Sequence, residues 1–223
     1  MSARPVIDLE QARFNMIEQQ IRPWQVLDPQ VLQLLALVQR EQFVPAAHKA
    51  LAFVDMEIPL PCGQTMLAPK VEARLLQDLA MQKSDMVLEV GAGSGHMAAL
   101  LARRAQSVLT LEIHQELADM ARANLARGGI HNVQVRHADA SADAQAEGPF
   151  DVIVLSGSVA QVPQTLLDQL KVGGRLSAIV GFDPVMCATI VHRTGAASFE
   201  AKARWDTVAQ RLQGFPEPAR FHF

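Results

Sequence analysis

Apolar residues recur along this chain with two different periods, and the change of period divides it. Up to about Met81 the spacing is helical, with loop-rich stretches between. Ile7, Phe14, Ile17 and Ile21 fall roughly on one helical face. Arg22-Pro23 should end that helix, because a proline disfavours helical backbone in the residue before it. A second helix is expected after Asp28, an N-cap carboxylate followed by Pro29 in the first turn. Val31, Leu34, Leu35 and Val38 make its apolar face. Phe43 to Phe53 suggests a further short helix, and Val71 to Ala80 reads as another.

From Lys83 the texture changes to short apolar runs that alternate with helical segments. Strands are expected at Met86–Val90, Ser107–Glu112, Val133–Asp139, Phe150–Gly157 and Gly173–Gly181. Helices are expected at Gly95–Arg103, at His114–Arg127 with Gly128-Gly129 as its stop, and at Pro163–Leu170. Such alternation implies a parallel sheet with helices on both faces. After Asp183 two strands follow without a clear helix between them, which fits a hairpin at the edge of an otherwise parallel sheet. The expected plan is a helical extension and loop over residues 1–82, packed on an α/β core over 83–223.

Bulk properties narrow the function classes. The 223 residues are enough for one large domain with a full core, and 49% hydrophobic with 19% charged residues is ordinary for a globular protein. A formal net charge of −3 gives no electrostatic reason to expect nucleic acid or an anionic membrane as partner. No apolar run approaches the ~20 residues of a spanning helix, and the N-terminus lacks the apolar stretch of a signal peptide. The two cysteines, Cys62 and Cys187, read as reduced thiols of a cytoplasmic protein, and no Cys/His spacing suggests a metal site.

The candidate chemistry sits at the head of the first strand of the alternating region. Gly91, Gly93 and Gly95 join that strand to a helix, where glycine permits a tight turn and close approach of backbone to a ligand. Glu112 ends the next strand twenty-one residues after Gly91, close to the ~20 expected of an acid that binds ribose hydroxyls. The dinucleotide fingerprint spaces its third glycine differently. With Glu89 just ahead of it, "EVGAGSG" instead resembles the first motif of the Rossmann-like class I methyltransferases that use S-adenosyl-L-methionine. That resemblance implies a mostly parallel seven-stranded sheet, with Glu89, Gly91, Ala92, Gly93, Ser94 and Gly95 along the cofactor. It also implies Glu112 on the ribose and Asp139, after the third strand, on the adenine amino group. Asp139 read alone is equally an ordinary loop acid.

From about Asn15 to Leu176 the chain is similar to one methyltransferase family, the protein-L-isoaspartate (D-aspartate) O-methyltransferases. The likeness rests on "MIEQQI", "DPQVLQLLALVQREQFVP", "GQTMLAPKVEARLLQDL", "VLEVGAGSGHMAALLA" and "LDQLKVGGRL". It implies carboxyl methylation of L-isoaspartyl or D-aspartyl residues in damaged proteins. The cofactor would be S-adenosyl-L-methionine and the product S-adenosyl-L-homocysteine, with no metal. Gly63, Gln64, Met66 and Ser158 would then touch the substrate, and Thr65, residue 67 and Ser156 would form the catalytic group.

In the family the loop reads G-Q-T-I-S-x-P; here Leu67 stands at the serine position. A carboxylate of pKa ~4 needs no general base, so the enzyme's task is positioning and exclusion of water. Leucine offers no hydroxyl to orient the accepting oxygen, and one lost hydrogen bond to a charged group is worth ~1.5–3 kcal/mol, or ~10–100-fold in rate. Thr65, Ser156, Ser158 and loop N–H groups are the remaining candidate donors. His96, at the head of the glycine-loop helix, is placed to meet cofactor or substrate, or simply solvent; the other histidines show no paired spacing. Two alternatives stay open: a different methyl acceptor, and a cofactor-binding protein without catalysis.

Overall fold

The computed structural model describes residues 8–143 and 148–217; Ile7 lies outside them. Helix α1 (Leu9–Met16) starts at Asp8, whose carboxylate accepts from the N–H groups of Glu10 and Gln11. The regular helix ends at Met16, earlier than Arg22-Pro23: a π-helical turn over Ile17–Ile21 leads into a 3-10 turn over Arg22–Trp24. Gln25, at φ 64°, stops it. Helix α2 (Pro29–Leu37) begins as expected, with Asp28 accepting from Gln30 N–H. The Phe43–Phe53 stretch forms only a 3-10 helix, Ala46–Leu51. A two-residue hairpin, β1 (Ile58–Pro59) against β2 (Thr65–Met66), leads into α3 (Pro69–Leu79).

The core then runs β3 (Met86–Val90), α4 (His96–Ala102), β4 (Ser107–Glu112), α5 (Gln115–Arg127), β5 (Val133–His137) and α6 (Ala140–Asp143). It continues with β6 (Phe150–Val159), α7 (Gln164–Leu167), β7 (Leu170–Phe182), β8 (Val185–Arg193) and β9 (Phe199–Asp206). Seven strands form one sheet in the order β5-β4-β3-β6-β7-β8-β9. The first five are parallel, and β8 and β9 add antiparallel at one edge. Strand order therefore reverses between β3 and β6, the place where α/β sheets open a crevice at their carboxyl ends.

Side chains of the central strands alternate between two apolar clusters, one on each face. Val87, Val108, Val152 and Val154 join the first; Leu88, Leu109, Ile153 and Leu155 join the second. Burial on both faces is why these strands read as unbroken apolar runs. The covering is unequal. The first cluster takes in α4 and α5, together with α3, Met16, Ile21 and Leu34, so the N-terminal segment shares a core with the sheet. The second face carries the one-turn helices α6 and α7, the latter much shorter than the expected Pro163–Leu170.

Strand β6 runs past Gly157 to Val159 because the chain returns to pair it. Its pairing with β3 ends at Leu155. Beyond that, Ser158 N–H donates to Gln210 O at 2.8 Å, and Leu212 N–H donates to Ser158 O at 2.9 Å. The C-terminal segment thereby lies across the carboxyl ends of β3 and β6.

Candidate active site

The glycine loop is held from several sides. Gly91 N–H donates to Leu111 O at 2.8 Å, and the Asn124 side chain on α5 donates to Ser94 O at 2.8 Å. Gly93 has φ 50° and Gly95 has φ 83°, backbone that a Cβ strains. The two glycines do different work. A Cβ on Gly93 would stand 3.2 Å from Leu60 Cδ1, in the gap between the loop and the β1–β2 hairpin. A Cβ on Gly95 would meet the backbone of Ala121 at 3.2 Å, so Gly95 lets α4 start against α5.

Between the loop and the ends of β4 and β5 lies a crevice. Gly91, Gly93 and Glu112 line it, and Leu111, Ile113, Leu117, Ala138 and Ala140 give it an apolar slot. Glu112 is only 4% exposed. Its Oε2 accepts from Gly93 N–H at 2.9 Å and its Oε1 from His114 N–H at 3.1 Å. Each carboxylate oxygen keeps a further lone pair, so Glu112 can brace the loop and accept from a ribose hydroxyl together. Asp139 is placed less directly. Its Oδ1 accepts from Ser141 N–H at 2.8 Å, and its neighbours Ala138 and Ala140, rather than its own side chain, line the crevice.

Glu89 lies beneath the loop, fully buried, and offers no surface to a cofactor. Ser156 Oγ donates to its Oε1 at 2.8 Å. Burial pushes its carboxyl up to about 8, against the hydrogen bond from Ser156. The expectation that Glu89 lines the cofactor is corrected: the strand pleat turns it inward, where it ties β3 to β6 under the site.

On the other side of the glycine loop is a second, narrow cavity, walled by Thr65, Met66, Leu67, Glu72, His96 and Ser156 with Ala92, Gly93 and Ser94. Thr65 and Ser156 line both spaces. Leu67 is 5% exposed and also belongs to the first apolar cluster. Thr65 Oγ1 donates to Glu57 Oε2 at 3.1 Å. Gln64 lines the crevice, and Gly63, at φ 66°, accepts at its carbonyl from Gln210 Nε2 at 2.7 Å. Ser158 does not face the crevice with Ser156. It is fully buried, because the register irregularity between Val154 and Ser158 and the returning C-terminal segment cover it.

Beneath Leu67 lies a cluster that the chain pattern did not announce. The Arg40 guanidinium, 1% exposed, pairs with Glu72 Oε2 and donates to Leu67 O at 2.7 Å. His96 Nδ1 lies 2.9 Å from the same Glu72 oxygen and 3.3 Å from Arg40 Nη1, and Phe43 meets the imidazole edge to face at 5.3 Å. Burial works to raise the Glu72 carboxyl, but the charges of His96 and Arg40 and hydrogen bonds from both outweigh it and hold it low. Burial pulls the Arg40 guanidinium down, opposed by Glu72. The sequence gives no signal for it: Arg40 sits in the polar stretch Gln39 to Gln42. Leu212 and Gln213, which complete the crevice wall, gave none.

The sequence model of the protein-L-isoaspartate(D-aspartate) O-methyltransferases matches residues 11–208. The chain belongs to this family. A protein-L-isoaspartate O-methyltransferase of Rhodopseudomonas palustris is 40% identical over 210 residues, 92% of this chain and 96% of that one. One from Koribacter versatilis is 38% identical over 181 residues, 81% of this chain and 82% of its own. Among solved structures, a Plasmodium falciparum protein described as such a methyltransferase, in complex with S-adenosyl-L-homocysteine, shares the fold. Its TM-score is 0.79 over 93% of this chain and 99% of that one, at 19% identity.

The crevice fits the family's cofactor on its own evidence. It has backbone that a Cβ would obstruct at Gly93, a buried carboxylate hydrogen-bonded to the loop, and an apolar slot beside them. Among the described residues no group of three or more His, Cys, Asp or Glu is gathered to hold a metal ion, and no helix is long and apolar enough to cross a membrane.

Proposed function

We propose that this protein methylates the carboxylate of L-isoaspartyl or D-aspartyl residues in damaged proteins, with S-adenosyl-L-methionine as donor. The reading carries with it a role in protein repair and a peptide or protein substrate. The observation that supports it is the pair of spaces that meet at Gly91, Gly93, Thr65 and Ser156: one suited to an adenosyl group, the other opening under the acceptor loop. When bound, the cofactor supplies an electrophilic sulfonium methyl. An acceptor carboxylate is already ionised at neutral pH, so no proton transfer would be asked of the chain's residues. What the chain contributes is alignment and a dry site. Gly91 and Gly93 let the backbone approach. Leu60, Leu67 and Leu212 exclude water with apolar surface. Glu112 fixes the loop through Gly93, and Asp139 stands at the far end, with Ser141 N–H on one oxygen.

The test is initial-rate transfer of labelled methyl to an isoaspartyl peptide and to its normal aspartyl twin. Transfer to the first alone is expected. Binding of S-adenosyl-L-homocysteine without transfer to either peptide would move the function to another acceptor or to a non-catalytic role.

A further inference from the structure

The loop lacks the family's hydroxyl at Leu67, and the structure shows what has become of the other donors. Thr65 spends its hydroxyl proton on Glu57, Ser156 spends its own on Glu89, and Ser158 is out of reach. A protonated Glu89 changes nothing here, because Oε1 still accepts from Ser156 while Oε2 carries the proton. Among the buried side-chain polar atoms of the described residues in the wall of the acceptor cavity, one has no partner. His96 Nε2 is buried and has no hydrogen-bond partner, although the ring lines the cavity beside Leu67, Thr65 and Ser156. A buried nitrogen without a partner is unfavourable, and a ligand placed against it relieves that penalty.

We infer that His96 is the acceptor-binding residue of this chain, donating from Nε2 to the substrate carboxylate that Leu67 cannot hold.

The arrangement of the cluster supports this. Arg40 has only protons to offer and Glu72 only lone pairs. The shorter contact, 2.9 Å to Glu72 against 3.3 Å to Arg40, puts a proton on Nδ1. Nε2 then carries either a lone pair or a second proton, and a carboxylate set against it selects the proton. Arg40 and Glu72 cancel in charge, so the doubly protonated ring gives the trio a net charge of +1, the complement of one acceptor carboxylate. Arg40 also holds Leu67 O, so the same cluster fixes the height of the loop over the ring. As the oxygen takes the methyl its charge disappears, and the neutral ester is held less tightly than the acid was. The donor therefore acts mainly on binding.

The inference rests on the isoaspartyl reading above, and the test separates the two. Kinetics and calorimetry with one isoaspartyl peptide, S-adenosyl-L-homocysteine bound in the calorimetric arm, are measured for wild type, His96→Phe, His96→Gln, and His96→Phe with Leu67→Ser. His96→Phe should raise the peptide KM and Kd by ~10-fold or more and leave kcat within ~3-fold, with cofactor affinity unchanged. Leu67→Ser should restore most of that loss in the His96→Phe background and gain less than ~3-fold in wild type, since one donor already serves. Arg40, Glu72 and Phe43 face the ring. His96→Gln keeps an amide donor at this position, so it should keep a low KM. That arm stands even if the phenylalanine variant fails to fold. An unchanged peptide KM in His96→Phe, or a KM in His96→Gln raised by ~10-fold or more, overturns the role of His96 alone. No transfer or peptide binding by wild type overturns the isoaspartyl reading and this inference with it.

Discussion

The two walls of the proposed site, one assigned to the cofactor and one to the acceptor, are built on different principles. The cofactor wall is made almost entirely by the backbone: three glycines at positive φ, N–H groups, and one carboxylate twenty-one residues on. Its supports, Leu111, Glu112 and Asn124, come from the elements next in the chain. The acceptor wall is made by side chains brought from far apart. Arg40, Glu72 and His96 converge under Leu67, and Gln210 reaches back to Gly63. A backbone-built wall tolerates change in most neighbouring side chains but not a Cβ at its glycines. A wall of buried charge tolerates no lost partner, because each group left behind is uncompensated.

Four substitutions break this contrast or sharpen it. The largest effect is expected on the acceptor side. Glu72→Leu strands the Arg40 guanidinium, so urea unfolding should show a loss of ~3–5 kcal/mol. Under conditions where that variant is folded, its affinity for S-adenosyl-L-homocysteine should match wild type. A parallel loss of cofactor affinity would mean that the walls are not separable.

Gly93→Val attacks the other wall. A branched side chain at φ 50°, with Cβ 3.2 Å from Leu60 Cδ1, should cut S-adenosyl-L-homocysteine affinity by ~100-fold or more by calorimetry while the protein stays folded. Equal affinity in wild type and variant refutes the glycine loop as the cofactor site.

Glu112→Ala tests whether a residue can belong to ligand and scaffold together. Because Glu112 also accepts from Gly93 and His114 N–H, the change should cost ~1–3 kcal/mol of cofactor affinity and lower Tm as well. A variant with weak binding and wild-type Tm would show that the two backbone contacts contribute nothing to stability.

The last substitution concerns Glu89 and pH. Its folded pKa of about 8 lies above the ordinary 4.5, so the folded state holds a proton that the unfolded chain releases. Stability from this group is complete below pH 4.5 and falls as pH rises toward 8, by up to ~1.4 kcal/mol per pH unit. Glu89→Gln, which is neutral throughout, should flatten the slope of Tm between pH 5 and 8. A slope identical to wild type would mean that Glu89 is ionised in the fold at neutral pH.

Much of the cofactor wall was legible in the sequence because it is local. Glycines, a strand-terminal acid and the strand–helix alternation lie in one stretch, and period-two burial fixes which face each strand residue takes. The same local reading mistook Glu89 for a cofactor contact, since a strand residue one step before the loop is turned by the pleat into the core. It overestimated the length of α7, and it misplaced Ser158 because the pairing of the returning C-terminal segment with β6 leaves no trace in residues 150–170. The sequence by itself determined the sheet, the glycine loop, the position of Glu112 and the missing hydroxyl at Leu67. Only the tertiary structure decided that Arg40, Glu72 and His96 share one buried pocket, and that Leu212 lies against Gly91. Periodicity reports which residues are buried; which buried charges meet depends on how the N-terminal helices pack on the sheet, and contacts 24 to 56 residues apart have no period to read.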